Sequence, residues 1–178
     1  MKMVALLRGV NVGGNRKVPM PALCAAATRA GLERVASYIN SGNLVFEAGK
    51  RAGSAVERLL EDAIEEQFGF RVEVIVRTAA QWNSYSRPGF PDAANERPAL
   101  LQFGLSKLPC KSELAAALGA RAMHGERIRV IGDAIWVDFP AGVGKSKLTP
   151  AVFDKAAGST VTLRNWNTVL KLHQMLQE

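Results

Sequence analysis

The sequence predicts an α+β protein made of two ferredoxin-like α/β plait units, each with the order βαββαβ plus a helix. Three observations predict it. Apolar spacing alternates between strand and helix periods in the same order in both halves, each half places a tight turn between two β-rich runs, and prolines punctuate the middle of the chain. The predicted boundaries are 1–87 for the first unit, 88–98 for a linker and 99–178 for the second unit with its C-terminal helix. Element order alone carries the duplication, because the halves share too little identity to show it directly.

Met3 to Leu7 is a short continuous apolar run and reads as a buried strand, ending at the turn-rich segment Arg8-Gly9-Val10-Asn11-Val12-Gly13-Gly14-Asn15. Pro21 suits the first turn of a helix, Leu23 to Ala27 favour helix, and Gly31 is placed to stop it. Arg34 to Asn40 and Asn43 to Glu47 are β-rich, and Ser41-Gly42 between them reads as a two-residue hairpin turn. Ser54 and Glu57 form a capping-box pattern. Val56, Leu60, Ile64 and Phe68 then recur at helical spacing as far as Gly69. Arg71 to Arg77 alternates in the manner of a strand, and Thr78 with Gln81 repeats the capping box ahead of a short helix carrying Trp82.

In the second half Ala99 to Leu105 reads as a strand and Ser112 to Leu118 as a helix stopped by Gly119. Ile128 to Ile131 and Ala134 to Phe139 pair across Gly132-Asp133. Thr149 and Pro150 open a helix that ends at Gly158, Thr160 to Leu163 is a strand, and a final helix starts at Asn165.

Lys plus Arg number 23 against 16 Asp plus Glu, a net charge of +7, which favours anionic partners. An apolar fraction of 48% with 22% charged residues excludes disordered and fibrous classes. Two cysteines, Cys24 and Cys110, are too few for a disulfide scaffold, and no apolar run is long enough to span a bilayer or to form a signal-peptide core. The expected location is the cytoplasm, with reduced thiols and no membrane partner.

Topology gathers the candidate site. A right-handed crossover makes the first two strands of a split βαβ unit parallel, so the loop after the first strand shares a sheet end with the hairpin. Arg8 and Asn11 then lie near Ser41 and Asn43, and Lys17 supplies further charge. In the second half the third and fourth strands are parallel, which groups Lys145 and Lys147 with Arg164, Asn165 and Lys171. A helix N-terminus at Asn165 adds free N–H groups, and together these ten residues are the candidate ligand-binding set.

Other chemistry lacks its required residues. Gly144-Lys145-Ser146 resembles the end of a phosphate loop, but Phe139 stands where the first glycine is needed. A dinucleotide fingerprint would need glycine in place of Asn11. Cys and His show no metal spacing, so no metal and no cofactor are expected.

Three segments carry a family resemblance: Leu6 to Gly14 with Lys17-Val18-Pro19, Tyr38-Ile39-Asn40-Ser41-Gly42-Asn43, and Thr162-Leu163-Arg164-Asn165-Trp166-Asn167-Thr168-Val169-Leu170-Lys171-Leu172. In this order they resemble the bacterial domain-of-unknown-function family 1697, over essentially the whole chain. The resemblance implies two α/β plait units and no established activity, so it supplies no catalytic residue.

The residues favour a binder of an anionic phosphorylated ligand, either a nucleotide or a nucleic-acid backbone. RNA recognition by stacking on the sheet is not expected, because the central strands offer only Phe46, Phe103 and Trp136 and no basic-aromatic run. Two alternatives stand beside it. One is an enzyme acting on a phosphorylated small molecule in the cleft between the halves, with Glu47, Asp133 and Asp138 as unassigned acids or bases. The other is a protein-interaction module.

Overall fold

The computed structural model describes residues 1–178 and comprises two compact units, Met1–Ser84 with Leu172–Glu178, and Tyr85–Lys171. The first unit contains β1 (Lys2–Leu7), α1 (Met20–Arg29), β2 (Glu33–Tyr38), β3 (Asn43–Glu47), α2 (Gly53–Phe68), β4 (Val74–Thr78) and α3 (Ala79–Ser84). Its sheet has the order β2-β3-β1-β4 with antiparallel neighbours, so β1 and β2 run parallel with β3 between them. That is the plait expected from the sequence. Met3, Ala5, Leu7, Leu44, Phe46, Val74 and Val76 face one side and pack with Leu23 and Ala27 of α1 and Val56, Leu60 and Ile64 of α2. Val4, Leu6, Val45 and Ile75 point to the other side and are buried as well.

Details of the first unit differ from the sequence reading. The β2–β3 connection is Ile39 to Gly42 rather than two residues, and both Ile39 (φ 49°) and Gly42 (φ 73°) adopt positive φ. Strand β2 shifts register between Glu33 and Ala36, at a left-handed Arg34 (φ 49°). The capping box at Ser54 does not form: Ala52 is the N-cap and no side chain caps the helix. Glu57 instead accepts a hydrogen bond from the Val76 amide at 2.9 Å, and Glu61 one from the Val74 amide at 3.0 Å. Both amides lie on the outer edge of β4, so helix α2 satisfies an edge that would otherwise stay open. The second predicted box does form, with Gln81 N–H donating to Thr78 Oγ1 and Thr78 N–H to Gln81 Oε1.

The second unit contains α4 (Pro91–Glu96), β5 (Leu101–Ser106), α5 (Leu114–Gly119), β6 (Arg127–Ile131), β7 (Ala134–Asp138), α6 (Pro150–Ala157), β8 (Val161–Asn165) and α7 (Trp166–Gln177), whose residues from Leu172 onward group with the first unit. The sheet order β6-β7-β5-β8 repeats that of the first unit, again antiparallel throughout. Helices α5 and α6 cover the face bearing Ile135 and Val137. The opposite face bears Phe103, Trp136, Asp138, Thr162 and Arg164, and the segment read as a linker folds over it. The Tyr85 ring packs, tilted, 4.8 Å from that of Phe103, and Gly89 sits where an added Cβ would be 2.5 Å from Trp136. Trp166 closes the same patch at 5.4 Å from Trp136. No helix is long and apolar enough to cross a membrane.

Candidate functional site

The first-unit site begins where β1 ends. The Leu7 amide donates to the Gly42 carbonyl at 2.8 Å and the Arg8 amide to that of Glu73 at 2.9 Å, which docks the β2–β3 hairpin against the β1 exit as the topology required. Beyond Gly9 the chain forms a miniature hairpin. Gly13 (φ 60°) and Gly14 (φ 77°) make a two-residue turn of the primed type, closed by Asn15 N–H to Val12 O at 3.1 Å and Asn11 N–H to Arg16 O at 3.1 Å. Glycine at both positions removes the steric cost of positive φ.

Asn11 fastens this loop. Its Oδ1 accepts from the Val18 amide at 2.8 Å, while Nδ2 donates to the Val18 carbonyl at 2.9 Å and the Asn40 carbonyl at 2.7 Å. Buried Val10 and Val18 pin the two ends of the loop into the core. Arg16 and Lys17 remain exposed, Arg8 is half-buried, and no acidic residue precedes Glu33 in the chain.

A cavity of about 370 Å³ opens beside the loop, lined by Asn11, Gly14, Lys17, Val18, Pro19 and Asn40. Pro19 is also the N-cap of α1, a helix with no side-chain cap and no acidic residue in its first turn. The positive dipole end of α1, whose first turn carries Pro21 and so one amide fewer, therefore starts directly after the cavity-lining Pro19. Sequence reasoning did not include Arg16, Asn40 or this helix start. Arg16 follows directly from its place beside Lys17 in the turn, whereas Asn40 joins only through the fold.

Ser41 and Asn43 hold the hairpin together. Asn43 is 0% exposed, and its Nδ2 donates to the Tyr38 carbonyl at 3.0 Å and to Ser41 Oγ at 2.9 Å.

In the second unit Lys145 and Lys147 are exposed on the loop between β7 and α6, at the sheet end where β7 and β8 both finish. Ser146 between them donates to the buried carboxylate of Glu126 and accepts from the Leu148 amide at 3.1 Å. The bond from Ser146, with one from the His124 amide, outweighs burial and holds the Glu126 carboxyl below its ordinary pKa. Arg164 is 8% exposed, and its Nη1 donates to Thr162 Oγ1 at 2.9 Å and the Leu163 carbonyl at 2.7 Å. Asn165 caps α7, its Oδ1 accepting from the Thr168 amide at 2.9 Å and Thr168 Oγ1 at 3.0 Å. Lys171 is half-buried on α7.

The three carboxylates weighed as acids or bases are held by protein partners. Asp138, 0% exposed, accepts from Arg97 Nε at 2.9 Å and Nη2 at 2.7 Å and from Arg127. Asp133 accepts from the Tyr85 hydroxyl, and Glu47 pairs with Arg34 at 3.3 Å. No group of three or more His, Cys, Asp or Glu is placed to hold a metal ion. Phe46, Phe103 and Trp136 are buried, so none offers a stacking platform on an open sheet.

Comparison with solved structures finds the same fold in the conserved bacterial protein SP0830 from Streptococcus pneumoniae, with a TM-score of 0.76 and 24% identity over 99% of this chain and 98% of that one. No curated protein matches the chain. A family model described as protein of unknown function (DUF1697) matches residues 1–136, three-quarters of the chain. The Gly-rich loop after β1 and the hairpin that Asn11 ties to it both lie inside that span, and the chain belongs to the DUF1697 family.

Proposed function

We propose that the protein binds an anionic phosphorylated ligand, a nucleotide or the phosphate backbone of a nucleic acid, at the loop Gly9 to Lys17 and the adjoining hairpin Ile39 to Gly42. The observation that carries this reading is the Asn11 clamp, which fixes an acid-free loop bearing Arg16 and Lys17 beside a cavity of about 370 Å³. Positioned cations and an uncapped helix start are groups that phosphate oxygens favour. Arg8 adds charge at the base of the loop. The second unit carries its own set of cations in Lys145, Lys147 and Lys171, and there Arg164 and Asn165 hold β8 and the start of α7.

Thermal denaturation against mononucleotides, phosphosugars and short oligonucleotides, at low and moderate salt, tests the proposal. A ligand present at about 100 times its Kd adds roughly 2.7 kcal/mol and raises the Tm by several degrees. Stabilisation by a mononucleotide that survives moderate salt identifies a shaped pocket. Stabilisation by oligonucleotides that disappears with salt identifies backbone electrostatics. No shift with any phosphorylated compound contradicts the proposal.

A further inference from the structure

The outer surface of the second unit carries a groove between α5 and α6. Leu114 and Leu118 of α5 and Phe153 and Ala157 of α6 turn inward to the core. Other residues of the two helices face the groove. Ala117, Ala151, Val152 and Ala156 form an apolar floor, and their small size leaves a cavity of about 520 Å³. Lys111, Arg121 and Lys155 stand around it against the single carboxylate of Glu113.

The duplicated fold supplies its own comparison. The equivalent groove in the first unit, between α1 and α2, measures about 410 Å³ and is lined by Ala26, Arg29, Ala30, Ala63, Glu66 and Gln67. There one cation faces one carboxylate, and Arg29 donates across the gap to Gln67. The architecture therefore makes a groove in both units, and only the second unit combines an apolar floor with a three-to-one excess of positive charge.

We propose that the α5–α6 groove docks an acidic amphipathic helix of a partner protein. The apolar floor takes leucine-like side chains spaced i, i+3/i+4 and i+7, and the cations pair with carboxylates flanking them. The flanking helices, six and eight residues long, extend about 9 and 12 Å at 1.5 Å per residue, which matches roughly two turns of a docked helix. A helix keeps its polar face in water above an open groove. An acyl chain bearing a carboxylate has no polar face to turn to the water above the groove.

The test is fluorescence anisotropy with a labelled synthetic helix carrying leucines at that spacing and glutamates beside them. Controls are the same composition in scrambled order, the peptide with lysine for glutamate, and dodecanoate as competitor. The exposed pair Arg121→Glu and Lys155→Glu, combined in one variant, is expected to keep its melting temperature and weaken the acidic peptide at least about tenfold. The lysine peptide should gain affinity for that variant. Arg29→Glu, in the first-unit groove, should leave binding unchanged. Equal binding of the scrambled peptide, an unaffected Arg121/Lys155 variant, equal loss in Arg29→Glu, or binding of dodecanoate without the acidic peptide would each overturn the proposal.

Discussion

Asn11 is joined to Asn40 across 29 positions of sequence by a 2.7 Å hydrogen bond from its Nδ2 to the Asn40 carbonyl. The same side chain holds both backbone groups of Val18. One amide thus fixes the loop after β1, the entry to α1 and the β2–β3 hairpin. Its backbone stands at φ 56°, a conformation Asn tolerates better than most residues.

Asn11→Ala removes all three bonds and adds the cost of a left-handed alanine. We expect a loss of about 2 kcal/mol by urea denaturation. Hydrogen exchange at the Val18 amide should accelerate more than exchange in β1. Equal protection of Val18 in both proteins would show that the clamp does not order the loop.

The carboxylates of Glu57 and Glu61 take the place of a neighbouring strand on β4. Glu61→Ala leaves the buried Val74 amide without its acceptor, and we expect a loss of about 2 to 3 kcal/mol, with Glu61→Gln keeping part of it. Opening that edge should also promote self-association, visible by light scattering. Asp154 plays the same part in the second unit, accepting from the Val161 amide of edge strand β8 at 2.8 Å, so Asp154→Ala should behave alike.

Acid sensitivity should centre on Asp138. Burial raises its carboxyl pKa, but the hydrogen bonds from Arg97 and Arg127 outweigh burial and hold it below the ordinary value. The folded state therefore resists a proton that the unfolded chain accepts. Its contribution is complete above the ordinary carboxylate pKa, near 4, and is lost as pH falls through the depressed folded value. The Glu126 carboxyl, held down by Ser146, acts in the same direction. Asp138→Asn should cost about 3 kcal/mol at neutral pH and flatten the acid limb of the stability curve. Parallel curves for the two proteins across that limb would contradict this assignment.

Gly89 lies against the indole of Trp136, and a Cβ there meets Trp136 Cγ at 2.5 Å. Gly89→Ala must displace the segment covering the sheet or the ring itself. We expect about 1 to 3 kcal/mol of destabilisation and a changed tryptophan emission spectrum. An unchanged spectrum and stability would mean that the segment does not pack on the ring.

The repeated plait was legible because each strand and helix announces itself locally, by the apolar runs at Met3 to Leu7 and Val56 to Phe68 and by the stop at Gly69. The destination of polar side chains was not. Glu57 has the spacing of a capping box with Ser54 yet serves β4, because the edge amides of that strand come from 19 residues further along the chain. The segment from Pro88 to Pro98 has the composition of a linker, but Gly89 and Phe90 are drawn onto Trp136 and under Arg127 and Arg129. Arg8, Lys17, Lys145 and Lys147 could be placed from topology. Asn43 and Arg164 were grouped with them at the right sheet ends, and only packing shows that their side chains are buried in hydrogen bonds. Arg164→Ala is accordingly expected to lower the melting temperature.

The central claim concerns the loop that Asn11 fixes, and its most direct measurement is the salt dependence of binding to a labelled single-stranded oligonucleotide, compared between the native protein and an Arg16→Ala/Lys17→Ala variant. Both side chains are exposed, so the variant should keep its melting temperature. If the loop holds phosphate, the variant binds about tenfold or more weakly at low salt, and its slope of log K against log salt falls by about 1 to 2. Unchanged affinity and slope in a folded variant would contradict the account.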